Sequence, residues 1–185
     1  MGKAYLLSGG PGVGKTTIIK QAITNVKGKA GGFYTEEIRS GGVRQGFRLV
    51  TLESKSATLA HIDIKSRHQV SKYGIDVEGL ENVGVSALRQ AIQECNLVVI
   101  DEIGKMELYS PSFREAVMEA INSDKRVLGT IMLSSHPWAD QIKRHPSVTI
   151  IPLTRTNRNQ VLEQVIAWVK SDTTDRAKNL KRGEG

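Results

Sequence analysis

Residues 4–23 read AYLLSGGPGVGKTTIIKQAI. Ala4 to Ser8 make a short, mostly apolar run suited to a buried strand. From Lys15 onward Ile18, Ile19, Ala22, Ile23 and Val26 recur at helical spacing. Between them Gly9, Gly14, Lys15 and Thr16 satisfy the pattern G, four residues, G, K, then S or T. In a strand–loop–helix context the backbone N–H groups and the positive end of the helix converge on an anion. Gly12 and Gly14 tolerate the positive φ values such a loop needs. Lys15 supplies a mobile charge for terminal phosphates, and Thr16 a hydroxyl ligand for Mg²⁺.

The second informative stretch is NLVVIDE, residues 96–102. Its unbroken apolar run predicts a strand buried on both faces, and Asp101 stands at its carboxyl end. There an aspartate is placed to hold Mg²⁺ against phosphates. Glu102 follows at once. Either it turns toward the terminal phosphate and orients a water as general base, or it is a solvated loop carboxylate.

Outward from these anchors, GGFYTEEI (31–38) and GFRLVTL (46–52) flank the Gly-Gly turn SGGVRQ and predict an antiparallel hairpin. Alternation puts Glu36 and Glu37 on opposite faces of it. Residues 53–78 carry weak signals, with a strand expected through ATLAHIDI. A helix is predicted over about 84–94. Beyond Asp101, Ser110 and Pro111 open a helix through SFREAVMEAI. RVLGTIML predicts a strand, HPWADQIKRH a short helix, VTIIPL a last strand and NRNQVLEQVIAWV a last helix, with Asn157 and Gln160 as a capping pair. Strands alternating with helices imply an α/β fold: a doubly wound, mainly parallel sheet flanked by helices, with the hairpin's antiparallel strands in the first half. Ligands then lie beyond the carboxyl ends of the strands, which aims the loop TRTNRN (154–159) at a nucleotide. Arg155 or Arg158 could stack on any base, or serve only capping and solvation.

With 185 residues the chain fits one domain, expected over 1–170, followed by a basic, disordered tail at 171–185. The single Cys95 forms no internal disulfide, and no apolar run approaches the roughly 20 residues of a membrane span. A cytoplasmic protein without membrane attachment is expected. The net charge of +7 is scattered rather than clustered, and suits polyanionic nucleotides as well as nucleic acid. The four histidines have no ligand spacing. Lys105 either approaches phosphate or forms an exposed salt bridge, and Arg114 is expected at the surface.

Together GGPGVGKTT, GGFYTEEIRSGGVRQGF, VVIDEIGKMEL, VLGTI and TRTNRNQVL resemble the thermophilic and cancer-related nucleoside-triphosphatase family of small P-loop proteins. The resemblance covers about residues 4–170. It implies a P-loop fold and slow, Mg²⁺-dependent hydrolysis of several nucleoside triphosphates with little base preference. It also implies nucleotide contacts at Gly9, Gly10, Pro11, Gly12, Val13, Gly14, Lys15 and Thr16, with Thr17 beside them, and at Leu97, Val98, Val99, Ile100, Asp101, Glu102, Ile103 and Gly104. On this reading Lys15 and Glu102 carry the chemistry, Thr16 and Asp101 hold the metal, and Arg158 reaches the base. Two alternatives stand beside it. A nucleotide or nucleic-acid kinase would need an acceptor pocket with arginines and a lid. A nucleotide-dependent RNA- or DNA-binding switch would need an aromatic platform. The oligomeric state is not legible.

Overall fold

The computed structural model describes residues 2–171. The chain opens with β1 (Ala4–Ser8), buried at all five residues, and passes through the glycine-rich loop into α1 (Lys15–Ile23). Then come β2 (Ala30–Ser40), β3 (Val43–Thr51), β4 (Ser56–His61), β5 (Gln69–Val70) and β6 (Tyr73–Ile75). A continuous helical stretch follows: α2 (Val77–Gly79), a π-helical segment Leu80–Val85, and α3 (Ser86–Glu94). Next are β7 (Leu97–Ile103), α4 (Pro111–Asn122), β8 (Arg126–Ile131), α5 (Pro137–Lys143), β9 (Val148–Pro152) and α6 (Arg158–Lys170).

One nine-stranded sheet has the order β5-β6-β4-β3-β2-β7-β8-β1-β9. The expected mainly parallel sheet is instead mixed. The pairs β2–β7, β7–β8, β8–β1 and β1–β9 are parallel, while every pair on the β3 side of β2 is antiparallel. The difference arises because the hairpin begun by β2 continues through three further antiparallel strands, two of them too short to leave a periodic signal.

Helices cover both faces. On one, Val98, Ile100 and Leu6 meet Leu88 of α3, Phe113 and Val117 of α4, and Ile142 of α5. On the other, Tyr5, Leu7, Leu97 and Val99 meet Ile18 and Ile19 of α1 and Val161 and Val165 of α6. Alternate residues of one strand thus enter two separate layers, which is why β1 and β7 read as unbroken apolar runs. Tyr5 stacks on Trp168 with ring centroids 4.3 Å apart, and the Arg126 guanidinium covers that indole at 4.0 Å.

Three local expectations change. The helix predicted from about 84 begins at Val77, capped by Asp76, whose carboxylate accepts from the Gly79 N–H at 2.8 Å. Gly79 and Gly84 hid this start by lowering helix propensity. The hairpin turn is only Gly41–Gly42, at φ 55° and 79°, because Val43 to Gln45 join β3. Asn157 stands at the start of α6 without a capping bond from its side chain. Its amide carbonyl accepts from the Thr154 N–H and its amide nitrogen donates to the Pro152 carbonyl, bracing the preceding loop instead. Ser110 does cap α4, accepting from the Phe113 N–H at 3.0 Å. The basic tail expected at 171–185 lies outside the described residues from 172 onward.

Where β2 crosses β7, Gly32 has φ 110°, and a Cβ built there would lie 2.1 Å from the Val99 carbonyl oxygen. That obstacle is backbone in mid-sheet and cannot swing aside. Gly32→Ala should therefore destabilise the protein by about 3 kcal/mol or more, measured as a shift in the urea unfolding midpoint. A shift worth under about 1 kcal/mol would contradict the close approach.

Candidate active site

The loop from Gly9 to Gly14 leaves the carboxyl end of β1 and delivers the chain into α1. Gly12 and Gly14 have φ 73° and 97°, so both take the left-handed conformation expected of them. Gly14 occupies the cap position of α1, which has no side-chain cap and no acidic residue in its first turn. The amides of that turn and the positive helix end are therefore left for an anion. The Lys15 ammonium folds over the loop and donates to the Gly9 carbonyl at 2.8 Å and the Gly10 carbonyl at 3.2 Å.

Opposite the start of α1 stands the end of β7. Asp101 is 1% exposed, and its two oxygens accept from the Thr16 hydroxyl at 2.6 Å and the Thr130 hydroxyl at 2.5 Å. Burial pushes its carboxyl above the usual range, opposed by these two bonds and by the charge of Lys15. Glu102 is half-buried and lines the cleft. Burial raises its pKa, Lys15 lowers it and Asp101 raises it again. A third carboxyl lies close behind. Positions around Gly104 bring Glu102 and Glu107 together: a Cβ on that glycine would be 3.1 Å from Glu107 Oε2 and 3.3 Å from Glu102 Oε1. Glu107 is buried, and its pKa is pushed to about 8, first by desolvation and then by the neighbouring Glu102.

Glu102 borders a cleft of about 900 Å³ along the carboxyl edge of the parallel strands, with Asp101 and Glu107 buried behind its wall. The phosphate-loop residues Gly9 to Gly12, Gly14 and Lys15 to Thr17 form one wall. The β2–β3 hairpin forms another, and Lys105 with Met132 to Ser134 closes the third side. Glu36 and Glu37 both line the cleft, although alternation assigns them to opposite faces of the hairpin. Each is neutralised. Glu36 accepts from Lys20 at 2.8 Å and Arg48 at 2.9 Å, and Glu37 from Arg44 at 2.8 Å and Arg39 at 2.6 Å. These bonds hold both carboxyls below their ordinary range, Lys20 acting most on Glu36 and Arg44 most on Glu37.

Several contacts expected from sequence are not brought to the cleft. Leu97, Val98, Val99, Ile100 and Ile103 are buried in the two core layers, because every side chain of a central parallel strand is covered by one helical layer or the other. Val13 packs toward the layer of α1 and α6, and Gly104 is buried behind Glu102. Arg158 lies over Gly14, its Nε 2.9 Å from a Cβ built there, so the guanidinium borders the loop at the head of α1. Arg114, on α4, lies outside the cleft lining. Reading the sequence missed Thr130, Thr35, Arg44 and Phe47. Only Thr130 left a trace, as a lone hydroxyl near the carboxyl end of the apolar run VLGTI.

Sheet, loop and buried aspartate define an α/β protein with an anion-suited cleft at the carboxyl edge of its parallel strands. The family described as NTPase matches residues 4–166 of this chain. Nucleoside-triphosphatase THEP1 of Thermotoga sp. is 45% identical over 165 residues, covering 89% of this chain and 94% of that protein. The crystal structure of THEP1 from Aquifex aeolicus superposes with a TM-score of 0.83 at 34% identity, over 91% of this chain and 99% of that one. The solution structure of a human cancer-related nucleoside triphosphatase gives 0.76 at 34% identity, over 91% and 98%. The chain belongs to this nucleoside-triphosphatase family.

The raised pKa of Glu107 has a consequence for stability. The folded state holds this proton up to about pH 8 and the unfolded chain releases it near pH 4.5, so stability falls as pH rises through that window. Asp101 and Glu102, raised by burial, act in the same direction. Glu107→Gln removes one of the three contributions, so its melting temperature should drop less between pH 5 and pH 8 than that of the wild type. Equal drops in parallel thermal melts would refute the assignment.

Proposed function

We propose that this protein hydrolyses nucleoside 5′-triphosphates to the diphosphate and inorganic phosphate with Mg²⁺, using residues 9–17 as a P-loop and Asp101 as the strand-end acid. The observation that carries this reading is the 2.6 Å bond from the Thr16 hydroxyl to the Asp101 carboxylate. It joins the first turn of α1 to the end of β7 with two hard oxygen donors at the mouth of an anion-suited loop. Mg²⁺ binds through one or two carboxylates together with substrate phosphates, and Thr16 with Asp101 is a donor set of that kind. When bound, the ion would neutralise charge on the phosphate oxygens.

The chain's own groups do the rest. Loop amides and Lys15 hold the phosphates, Lys15 exchanging its bonds to the Gly9 and Gly10 carbonyls for phosphate oxygens. A water oxygen attacks the γ phosphorus while the bond to the β-bridging oxygen breaks, and the diphosphate departs with the electron pair. Glu102 accepts the proton the water loses. Of the two adjacent carboxyls only Glu102 lines the cleft, whereas Glu107 is buried and holds its own proton up to about pH 8. The site is centred on phosphate contacts from the loop and Lys15, which every nucleoside triphosphate offers alike, and this supports low base selectivity.

Glu102→Gln keeps size and hydrogen bonding but removes the proton acceptor, so single-turnover phosphate release should slow by roughly 10²–10⁴-fold with triphosphate affinity nearly unchanged. Asp101→Asn should instead raise the Mg²⁺ concentration needed for half-maximal activity, and Lys15→Ala should weaken triphosphate binding with little loss of fold stability. Near-normal turnover of the Glu102→Gln protein would exclude that glutamate as the base. In steady-state competition, kcat/KM for ATP and GTP should lie within about tenfold of each other. A preference of several orders of magnitude would contradict a phosphate-centred site.

A further inference from the structure

Two threonines hold Asp101, and they differ in what they can reach. The Thr16 hydroxyl donates to Asp101 Oδ2 at 2.6 Å and the Thr130 hydroxyl to Oδ1 at 2.5 Å. Each hydroxyl has one proton to give, so each is committed to one oxygen of the carboxylate. Thr16 lines the cleft and can exchange that partner for a ligand there, whereas Thr130 is fully buried behind the aspartate.

The register of the sheet explains why Thr130 stands at this point. Strands β7 and β8 pair in step from Leu97 with Arg126 to Ile100 with Gly129, and the pairing resumes at Ile103 with Ile131. Three steps on β7 thus answer two on β8, so Asp101 and Glu102 both stand opposite Thr130. The ladder closes again where the Met132 N–H donates to the Ile103 carbonyl at 3.0 Å. In a regular strand the two acids would point to opposite faces. An extra residue breaks the ladder locally and re-aims its side chains. Here Asp101 is sent into the interior and Glu102 to the cleft. On its other side Thr130 is in register with Leu7 of β1, just ahead of the phosphate loop. Thr130 therefore stands between the irregular end of β7 and the strand that feeds the loop.

The last torsion of an aspartate is broad, so a bond to one oxygen is what fixes the other. Groups that orient a metal ligand from behind matter nearly as much as the ligand. We propose that Thr130 is a positioning residue for metal binding: its hydroxyl holds Asp101 Oδ1 so that Oδ2 stays beside Thr16, and this sets the Mg²⁺ concentration at which the triphosphate is gripped. The proposal rests on the reading under Proposed function that Thr16 and Asp101 hold the ion.

The test is an equilibrium one. A fluorescent, non-hydrolysable ATP analogue is bound to the full chain in EDTA and then over a Mg²⁺ titration, with wild-type, Thr130→Ala, Thr130→Val, Thr130→Ser and Asp101→Asn proteins. The alanine variant removes hydroxyl and methyl together, the valine variant keeps the volume in case alanine fails to fold, and the serine variant keeps the hydroxyl alone. The half-effective Mg²⁺ concentration should rise about tenfold or more in the alanine and valine proteins and stay within about twofold of wild type in the serine protein. Affinity in EDTA should be the same in all of them. A wild-type Mg²⁺ requirement in the alanine and valine proteins, beside a raised one in Asp101→Asn, would overturn the role of Thr130 and leave the metal site standing. A serine protein as impaired as the alanine one, or an equal loss of affinity with and without Mg²⁺, would show a packing role only and overturn it as well. An unchanged requirement in Asp101→Asn would overturn the metal site itself, and this proposal with it.

Discussion

A buried carboxylate is tolerated only where hydrogen bonds replace the water it has lost, and Asp101 obtains them from two directions. Thr16 brings the first turn of α1 and Thr130 brings β8. The order β7-β8-β1 makes this possible, because it sets the strand that carries the aspartate next to the strand that carries Thr130 and one removed from the strand that feeds the phosphate loop. If the strands were ordered otherwise, the aspartate would be stranded in the core or left in solvent. The same juxtaposition holds the loop beside Glu102, so the shape of the sheet and the arrangement of the acidic groups are one constraint.

Much of this was legible where the signal is local. β1, β7, β8 and β9 declare themselves as apolar runs, and the loop motif names its residues by spacing alone. Residues 53–80 were opaque for physical reasons. Strands of two and three residues have no period to detect, and the glycines at 79 and 84 argue against a helix that tertiary packing nevertheless enforces: Gly84 lies under Leu80, Leu49 and Phe33. In the site, Asp101 and Glu102 could be found because they end a strand. Thr130, Arg44 and Phe47 could not, since only the fold brings them to the cleft. The stretch Leu97–Ile100, expected to lie near the nucleotide, sends its side chains into the core layers. Family resemblance carries a block of residues across as a unit, whereas a central strand gives its side chains to the core and only its end to the ligand.

The hairpin wall illustrates how little a charged residue says on its own. Glu36 and Glu37 read as candidate acids, yet each is clasped by two cations, and exposed pairs of this kind add little stability singly. Their effect is on the potential of the cleft. With both carboxylates neutralised and cations in excess, the wall facing the phosphate loop does not repel polyanions, and electrostatic focusing in a concave site favours their entry.

The packing of Trp168 between Tyr5 and Arg126 fixes more than α6. Arg126 also donates to the Val169 and Ser171 carbonyls, and Lys3 donates to the Ser123 carbonyl on the adjoining turn. The first and last described segments thus converge on the turn before β8, at the amino edge of the parallel strands. The cleft occupies the other edge. Whatever grips the described ends, at Gly2 or at Ser171, approaches from the rear of the molecule and leaves the mouth clear for traffic.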